Sequence, residues 1–230
     1  MSDKIDVIVP VYNEAKSIEE FYRRIRSIPL QYNLIFIDNA STDNTLEIIK
    51  GFMEVIVIEH DKNEGYGASI RDGIAYSEGD IIVIIDADCE YPPESIPELI
   101  KQLETSDVVY ASRFLDRKKL NMPFLKILGN RIISSVFNFL FRQKVTDLYT
   151  GCKALRRSEV SGIQMQRKGF EHVLEMAAYL AKKGNAIDEI PITFEQRRTD
   201  KSKMKHLSET IKFAYLVVYY FFKPYSMIGK

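Results

Sequence analysis

Cysteine and histidine are scarce in this chain of 230 residues, with 2 and 3 copies. Cys89 and Cys152 form no CxxC pair and have no histidine at metal-ligand spacing. That argues against a zinc site or a disulfide framework and leaves two reduced thiols, as expected of a cytoplasmic protein. His60, His172 and His206 are dispersed, and no HxxxH, GxSxG or Cys–His pairing is present, so each histidine is assigned a structural or surface role. The start, Met1-Ser-Asp-Lys-Ile-Asp, lacks the apolar run of a signal peptide. Long uncharged runs are missing too. Residues 211–222 carry only Lys212 as a charge, but as a helix they rise about 18 Å, short of the roughly 30 Å hydrocarbon core. No membrane span is expected.

Net charge is also absent, at +0, but the balance conceals an asymmetry. Residues 1–110 hold 9 Lys and Arg against 22 Asp and Glu, and residues 111–230 hold 23 against 10. An acidic half able to hold a metal precedes a basic half able to hold phosphates or face anionic lipid. No nucleic-acid partner is expected. Mutual neutralisation of the halves is the simpler alternative. With 46% hydrophobic and 28% charged residues, the chain has the composition of a globular protein.

Short apolar runs at 6–12, 34–38, 55–59, 81–85 and 107–111 alternate with helical patterns. This predicts an α/β fold with a mostly parallel sheet flanked by helices. Ser17 and Glu20 read as a capping box. Residues 125–142 form an apolar helix, 146–153 a turn, 170–183 a helix and 186–194 a last strand broken by Pro191. Basic loops lie at 117–119 and 197–205, and 207–222 forms an aromatic helix.

The organising stretch is Asp80-Ile-Ile-Val-Ile-Ile-Asp86-Ala-Asp88-Cys-Glu90. Five apolar residues suit a strand covered on both faces, and Asp86 and Asp88 emerge at its carboxyl end, where open α/β sheets bind ligands. Two hard oxygen donors on one side of an extended chain suit Mg²⁺ or Mn²⁺ carrying a phosphorylated ligand. A solvated loop ending a strand is the alternative. Gly65-Tyr-Gly67 before a helix would let backbone approach phosphate, or simply make a tight turn. Glu171 and Glu175, at i and i+4, read first as a solvated helix face.

Taken together, Pro10-Val-Tyr12-Asn13-Glu14, Asp38-Asn-Ala-Ser41-Thr-Asp43, Gly65-Tyr-Gly67-Ala and Asp86-Ala-Asp88 resemble family 2 glycosyltransferases of the GT-A fold. Tyr91-Pro-Pro93-Glu94, Ala111-Ser-Arg113, Thr146-Asp147 with Gly151, Glu175 and Ser202-Lys203 narrow the resemblance to the dolichol-phosphate mannosyltransferase branch. It covers about residues 5–205. The resemblance implies a catalytic domain over 1–205, with a nucleotide-sugar half at 1–110 and an acceptor half at 111–205. The aromatic helix within 206–230 is left to the membrane interface, the alternative being that it packs on the 125–142 helix, on the core or in a homo-oligomeric dimer.

By the same resemblance, Pro10, Tyr12, Glu14, Asp38 and Gly67 bind the nucleotide sugar, a GDP- or UDP-hexose. Asp86, Asp88 and Glu90 meet the metal, with Asp86 and Asp88 also on the diphosphate. Arg113, Arg131, Arg198 and Lys203 gather the acceptor phosphate. Asp88, Arg113, Asp147 and Glu175 form the catalytic group, Asp147 and Glu175 orienting cations or acting as bases toward a hydroxyl. The family usually has a second Asp where Asn39 stands, and often Gln at Glu90. The expected reaction is inverting transfer of a hexose to a polyprenyl phosphate by a protein peripheral to the cytoplasmic membrane face. A saccharide acceptor is the alternative, disfavoured by the basic acceptor half and by the lack of a QxxRW. A nucleotidyltransferase would want glycine in the loop at 12–14, and a non-catalytic subunit would not need the acidic pair.

Overall fold

Apolar runs, buried on both faces, build the centre of the molecule. A computed structural model of the chain describes residues 3–115, 122–163, 165–195 and 206–228, with side chains at 206–211 and 227 excepted. Its strands are β1 (Ile5–Val11), β2 (Asn33–Asp38), β3 (Val55–Glu59), β4 (Ile81–Ile85), β5 (Val108–Ser112), β6 (Cys152–Arg156) and β7 (Asp188–Pro191). They form one sheet in the order β3-β2-β1-β4-β6-β5-β7. All neighbours run parallel except β6, which is antiparallel to both β4 and β5. One sheet therefore runs through both the acidic and the basic halves.

Successive side chains of a strand face opposite ways, and here both faces are covered. Ile81, Val83 and Ile85 join a cluster with Phe21, Ile25, Ile96 and Leu99. These come from helices α1 (Ile18–Arg26) and α4 (Ile96–Gln102). Between them, α2 (Thr45–Lys50) and α3 (Tyr66–Tyr76) connect strands, α2 adding Ile49 to this face. Ile82 and Ile84 face the other cluster, which holds Ile70 and Ile74 of α3. It is completed by α5 (Phe124–Phe141), α7 (His172–Lys183) and α8 (His206–Phe222), with the short α6 (Arg157–Val160) after β6.

Four local expectations are corrected. Ser17 makes no capping bond; its Oγ turns back to the Glu14 carbonyl and carboxylate. The segment read as a turn over 146–153 ends in β6, whose Cys-Lys-Ala-Leu-Arg is too short and too polar to announce a strand. And α5 has 18 residues with a mean hydropathy of 1.3, long and apolar enough to cross a membrane by length and composition alone. One face of α5 nonetheless packs inward through Ile133, Ser134 and Phe137. Pro191 ends β7 and does not interrupt it.

The last helix is tied to its neighbours at several points. Lys182 Nζ donates to the Phe221 and Lys223 carbonyls, a cation at a helix carboxyl end where bare carbonyls concentrate negative charge. Lys212 pairs with Glu171, and Arg167 Nε donates to Tyr220 Oη at 3.2 Å.

Candidate active site

The carboxyl ends of β1 and β4 open into a cavity of about 490 Å³. Pro10, Tyr12 and Glu14 line one side, and Asp86, Asp88 and Glu90 the floor. Arg113 and Lys126 also line it, and Leu125, Ile133 and Phe213 add apolar lining from α5 and α8.

At the floor, Tyr66 Oη donates to Asp86 Oδ1. Burial first, then the Asp86 charge, raises the Tyr66 pKa far above its ordinary value, so the phenol keeps its proton and remains a donor. Asp86 is only half-buried toward the cavity. Lost hydration, then the Asp88 charge, still pushes its pKa up to about 7. Beneath the pair, Lys153 is buried in β6 with Nζ 4.9 Å from the Tyr110 ring centre. Burial brings its pKa down to about 8, while Asp86 resists that fall. The Glu90 N–H donates to Asp88 Oδ1 at 3.0 Å. Between them Cys89 sits at φ +59, a left-handed conformation costly for a residue with a β carbon.

A buried ion pair forms the other side. Arg113 Nε donates to Asp147 Oδ2 at 2.6 Å, Nη2 to Oδ1 at 2.8 Å, and the Arg113 backbone N–H to Oδ2 at 3.1 Å. Burial opposes the guanidinium charge, but Asp147 outweighs it and Arg113 is held above its ordinary pKa. Tyr91 and Phe194 flank the guanidinium at 5.2 and 6.0 Å. Asp147 itself is fully buried.

Several expected site residues stand elsewhere. The Gly67 N–H is spent on the Lys168 carbonyl at 2.7 Å, and a β carbon there would stand 2.3 Å from Arg167 O. Its missing side chain thus admits a protein loop and not a phosphate. Glu175 is fully buried, accepting the Gln166 and Arg167 backbone N–H groups at 3.0 and 2.8 Å. It is neither a solvated face nor a cavity group, because α7 turns it toward a loop needing an acceptor. Asp38 is buried at the end of β2 and accepts the Ser41 N–H at 3.0 Å; its Oδ1 has no partner among the described residues. Arg131 is exposed on α5 and is not among the lining residues described, whereas Lys126, one turn earlier, is. Arg198 and Lys203 lie outside the described residues. Sequence reasoning singled out neither Lys126 nor Phe213, which no local pattern sets apart, and gave Tyr66 and Gly151, both inside motifs quoted above, no part in the site.

Hard oxygens suit a divalent cation, and Asp86, whose pKa is raised by burial and by the like charge of Asp88, is a group that a cation would relieve. Among the described residues, no three Asp, Glu, His or Cys side chains converge tightly enough to hold a metal by themselves. Glu90 is therefore not assembled as a third ligand, the left-handed turn at Cys89 lying between it and Asp88. Two carboxylates with substrate phosphates and water completing the shell is how Mg²⁺ is commonly held.

The family profile described as glycosyl transferase family 2 matches residues 6–162. The chain belongs to that family. This glycosyltransferase is similar to the dolichol-phosphate mannosyltransferase of Pyrococcus furiosus, at 32% identity over 88% of this chain and 59% of the relative. It is also similar to the UDP-N-acetylglucosamine–dolichyl-phosphate N-acetylglucosaminyltransferase of Methanococcus voltae, at 33% identity over 84% of this chain and 86% of the relative. The chain thus spans well under two thirds of the Pyrococcus protein. Among solved structures it resembles glucosyl-3-phosphoglycerate synthase from Mycobacterium tuberculosis in complex with UDP. The TM-score is 0.72 at 20% identity, covering 96% of this chain and 79% of that one. At that identity the likeness shows the fold. The expected GT-A sheet of a family 2 transferase is borne out.

Proposed function

We propose that this glycosyltransferase moves a hexose from a nucleotide sugar to the phosphate of a polyprenyl phosphate, inverting the anomeric centre. The observation that carries this reading is one cavity joining an acidic pair, a buried Arg113–Asp147 pair and an apolar wall from α5 and α8. The relatives named for dolichyl phosphate acceptors support the acceptor class.

A phosphate monoester is largely ionised near neutrality, its second pKa being about 6. One of its oxygens can attack the anomeric carbon as the bond to the nucleoside diphosphate breaks and that group leaves with the electron pair. Positioning matters more here than a general base. Arg113, fixed by Asp147, and Lys126 supply cations facing the acidic floor, and Arg198 and Lys203 are proposed to join them. Pro10, Tyr12 and Glu14 hold the nucleoside, while Asp38, buried outside the cavity lining, accepts the Ser41 N–H and so braces the turn after β2. Asp86 and Asp88 would hold Mg²⁺ or Mn²⁺, which would neutralise charge on the departing diphosphate.

Delivery of a lipid acceptor fits a peripheral membrane contact. Phe124, Leu128, Ile132 and Phe139 form an exposed stripe on α5, and Tyr215, Val218, Tyr219 and Phe222 one on α8. Arg131, Arg142 and Lys223 supply charge for anionic headgroups.

The test is transfer from a panel of GDP- and UDP-hexoses to polyprenyl phosphate with Mn²⁺, in the wild type and in Asp88→Asn. Transfer by the wild type, lost in EDTA and in the variant, is expected, because an amide is a poorer divalent ligand. EDTA-insensitive transfer would remove the metal from the reading, and transfer only to a saccharide hydroxyl would replace the acceptor.

A further inference from the structure

Arg24 lies on α1 and is absent from the cavity lining described. Its guanidinium is nevertheless used twice over. Nε and Nη2 donate to the two oxygens of Glu94 at 2.9 and 2.7 Å, and Nη1 and Nη2 to those of Glu195, both at 2.9 Å. The Arg24 side chain is only 12% exposed. An isolated surface pair contributes little, but two forked pairs on one nearly buried guanidinium bind three segments remote in sequence.

What those segments carry gives the clamp its meaning. Glu94 follows Tyr91 in the same turn, and Glu195 follows Phe194 directly; Tyr91 and Phe194 are two of the three rings beside the Arg113 guanidinium, the third being its chain neighbour Phe114 at 5.6 Å. The Glu195 N–H also donates to the Glu90 carbonyl at 3.2 Å, within the acidic turn. That turn contains left-handed Cys89, a conformation that persists only where its surroundings enforce it.

We infer that Arg24 is a remote positioning residue for sugar transfer, holding the acidic turn and the Arg113 ring cage in register through Glu94 and Glu195. The inference rests on the reaction proposed above. Loss of the clamp separates the acceptor cation from the acidic floor without touching the nucleoside contacts.

The experiment compares Arg24→Gln, Arg24→Lys and Glu195→Gln in the full chain. Small misplacements of reacting groups are costly, so Arg24→Gln should lower kcat or raise the acceptor KM on the order of tenfold or more, with donor Kd within about twofold of wild type. Glu195→Gln should shift the same constant less. Arg24→Lys should fall between wild type and Arg24→Gln, since an ammonium cannot make both forks. Wild-type kinetics in Arg24→Gln and Glu195→Gln would overturn the inference, as would a parallel loss of donor affinity and turnover. Amide hydrogen exchange separates its failure from failure of the assigned reaction. In Arg24→Gln the Glu90, Tyr91 and Glu94 amides and those of Phe194 and Glu195 should exchange faster together, whether or not the wild type uses polyprenyl phosphate. Unchanged protection at both would overturn the coupling.

Discussion

A carboxylate oxygen of Asp86 occupies the space that a side chain on Gly151 would need. A β carbon at 151 would stand 2.0 Å from Asp86 Oδ2, and the Asp86 N–H donates to the Gly151 carbonyl at 3.2 Å. Gly151→Ala should therefore swing Asp86 away from Tyr66 and the cavity. Overpacking of this kind costs about 1–3 kcal/mol of stability, and turnover should fall far more than the melting temperature suggests. Steady-state kinetics beside thermal unfolding check this; wild-type turnover would show the close approach to be immaterial.

The Arg113–Asp147 pair predicts a split between substrates. Arg113→Ala removes charge-assisted hydrogen bonds and should cost on the order of 1.5–3 kcal/mol in acceptor use, with donor affinity unchanged. Asp147→Asn leaves a buried guanidinium short of its counter-charge, and breaking such a pair costs about 3–5 kcal/mol of stability. Denaturant titration and acceptor KM measure the two effects. If donor affinity in Arg113→Ala drops as far as turnover, Arg113 belongs to the donor side.

Asp6 predicts an acid-side loss of stability. Its carboxylate accepts Asn33 Nδ2, Ser77 Oγ and the Glu78 and Gly79 N–H groups at 2.7 to 2.9 Å. Burial alone would raise its pKa, but these donors hold it below its ordinary 3.8. A lowered folded pKa means stability present above the unfolded value and lost as pH falls through the folded one. Asp6→Ala should cost about 1–3 kcal/mol near neutrality, and its deficit against wild type should shrink below about pH 3.8. A deficit independent of pH would assign the effect to packing.

The apolar stripes predict salt-sensitive vesicle binding. Phe139 and Phe222 are 85% and 76% exposed, so Phe139→Glu with Phe222→Glu should leave the melting temperature unchanged. Co-sedimentation with anionic vesicles should be lost in that variant, and should weaken with salt in the wild type, each basic residue near the surface contributing about 1 kcal/mol. Wild-type protein that never sediments would leave the stripes to another partner.

Strands β1 to β5 could be read directly because a run of β-branched residues between helical patterns is a local signal, carried within a few residues of chain. The acidic pair ending β4 was legible for the same reason: residues two apart share a side of any strand. The family too was written in contiguous motifs, from Pro10-Val-Tyr12 to Asp86-Ala-Asp88. By itself, then, the sequence determined an α/β sheet, its acidic carboxyl edge and membership of a glycosyltransferase family. Tertiary structure alone decided which residues share the cavity. An antiparallel strand starts where its parallel neighbours end, so inserting β6 between β4 and β5 carries Gly151 to Asp86, with Asp147 beside Arg113. The same long-range packing turns Glu175 inward, spends the Gly67 N–H on Lys168 and brings Phe213 of α8 to the cavity wall. Each of these contacts joins segments far apart in the chain, where neither hydrophobic period nor residue spacing carries information about which partner is met.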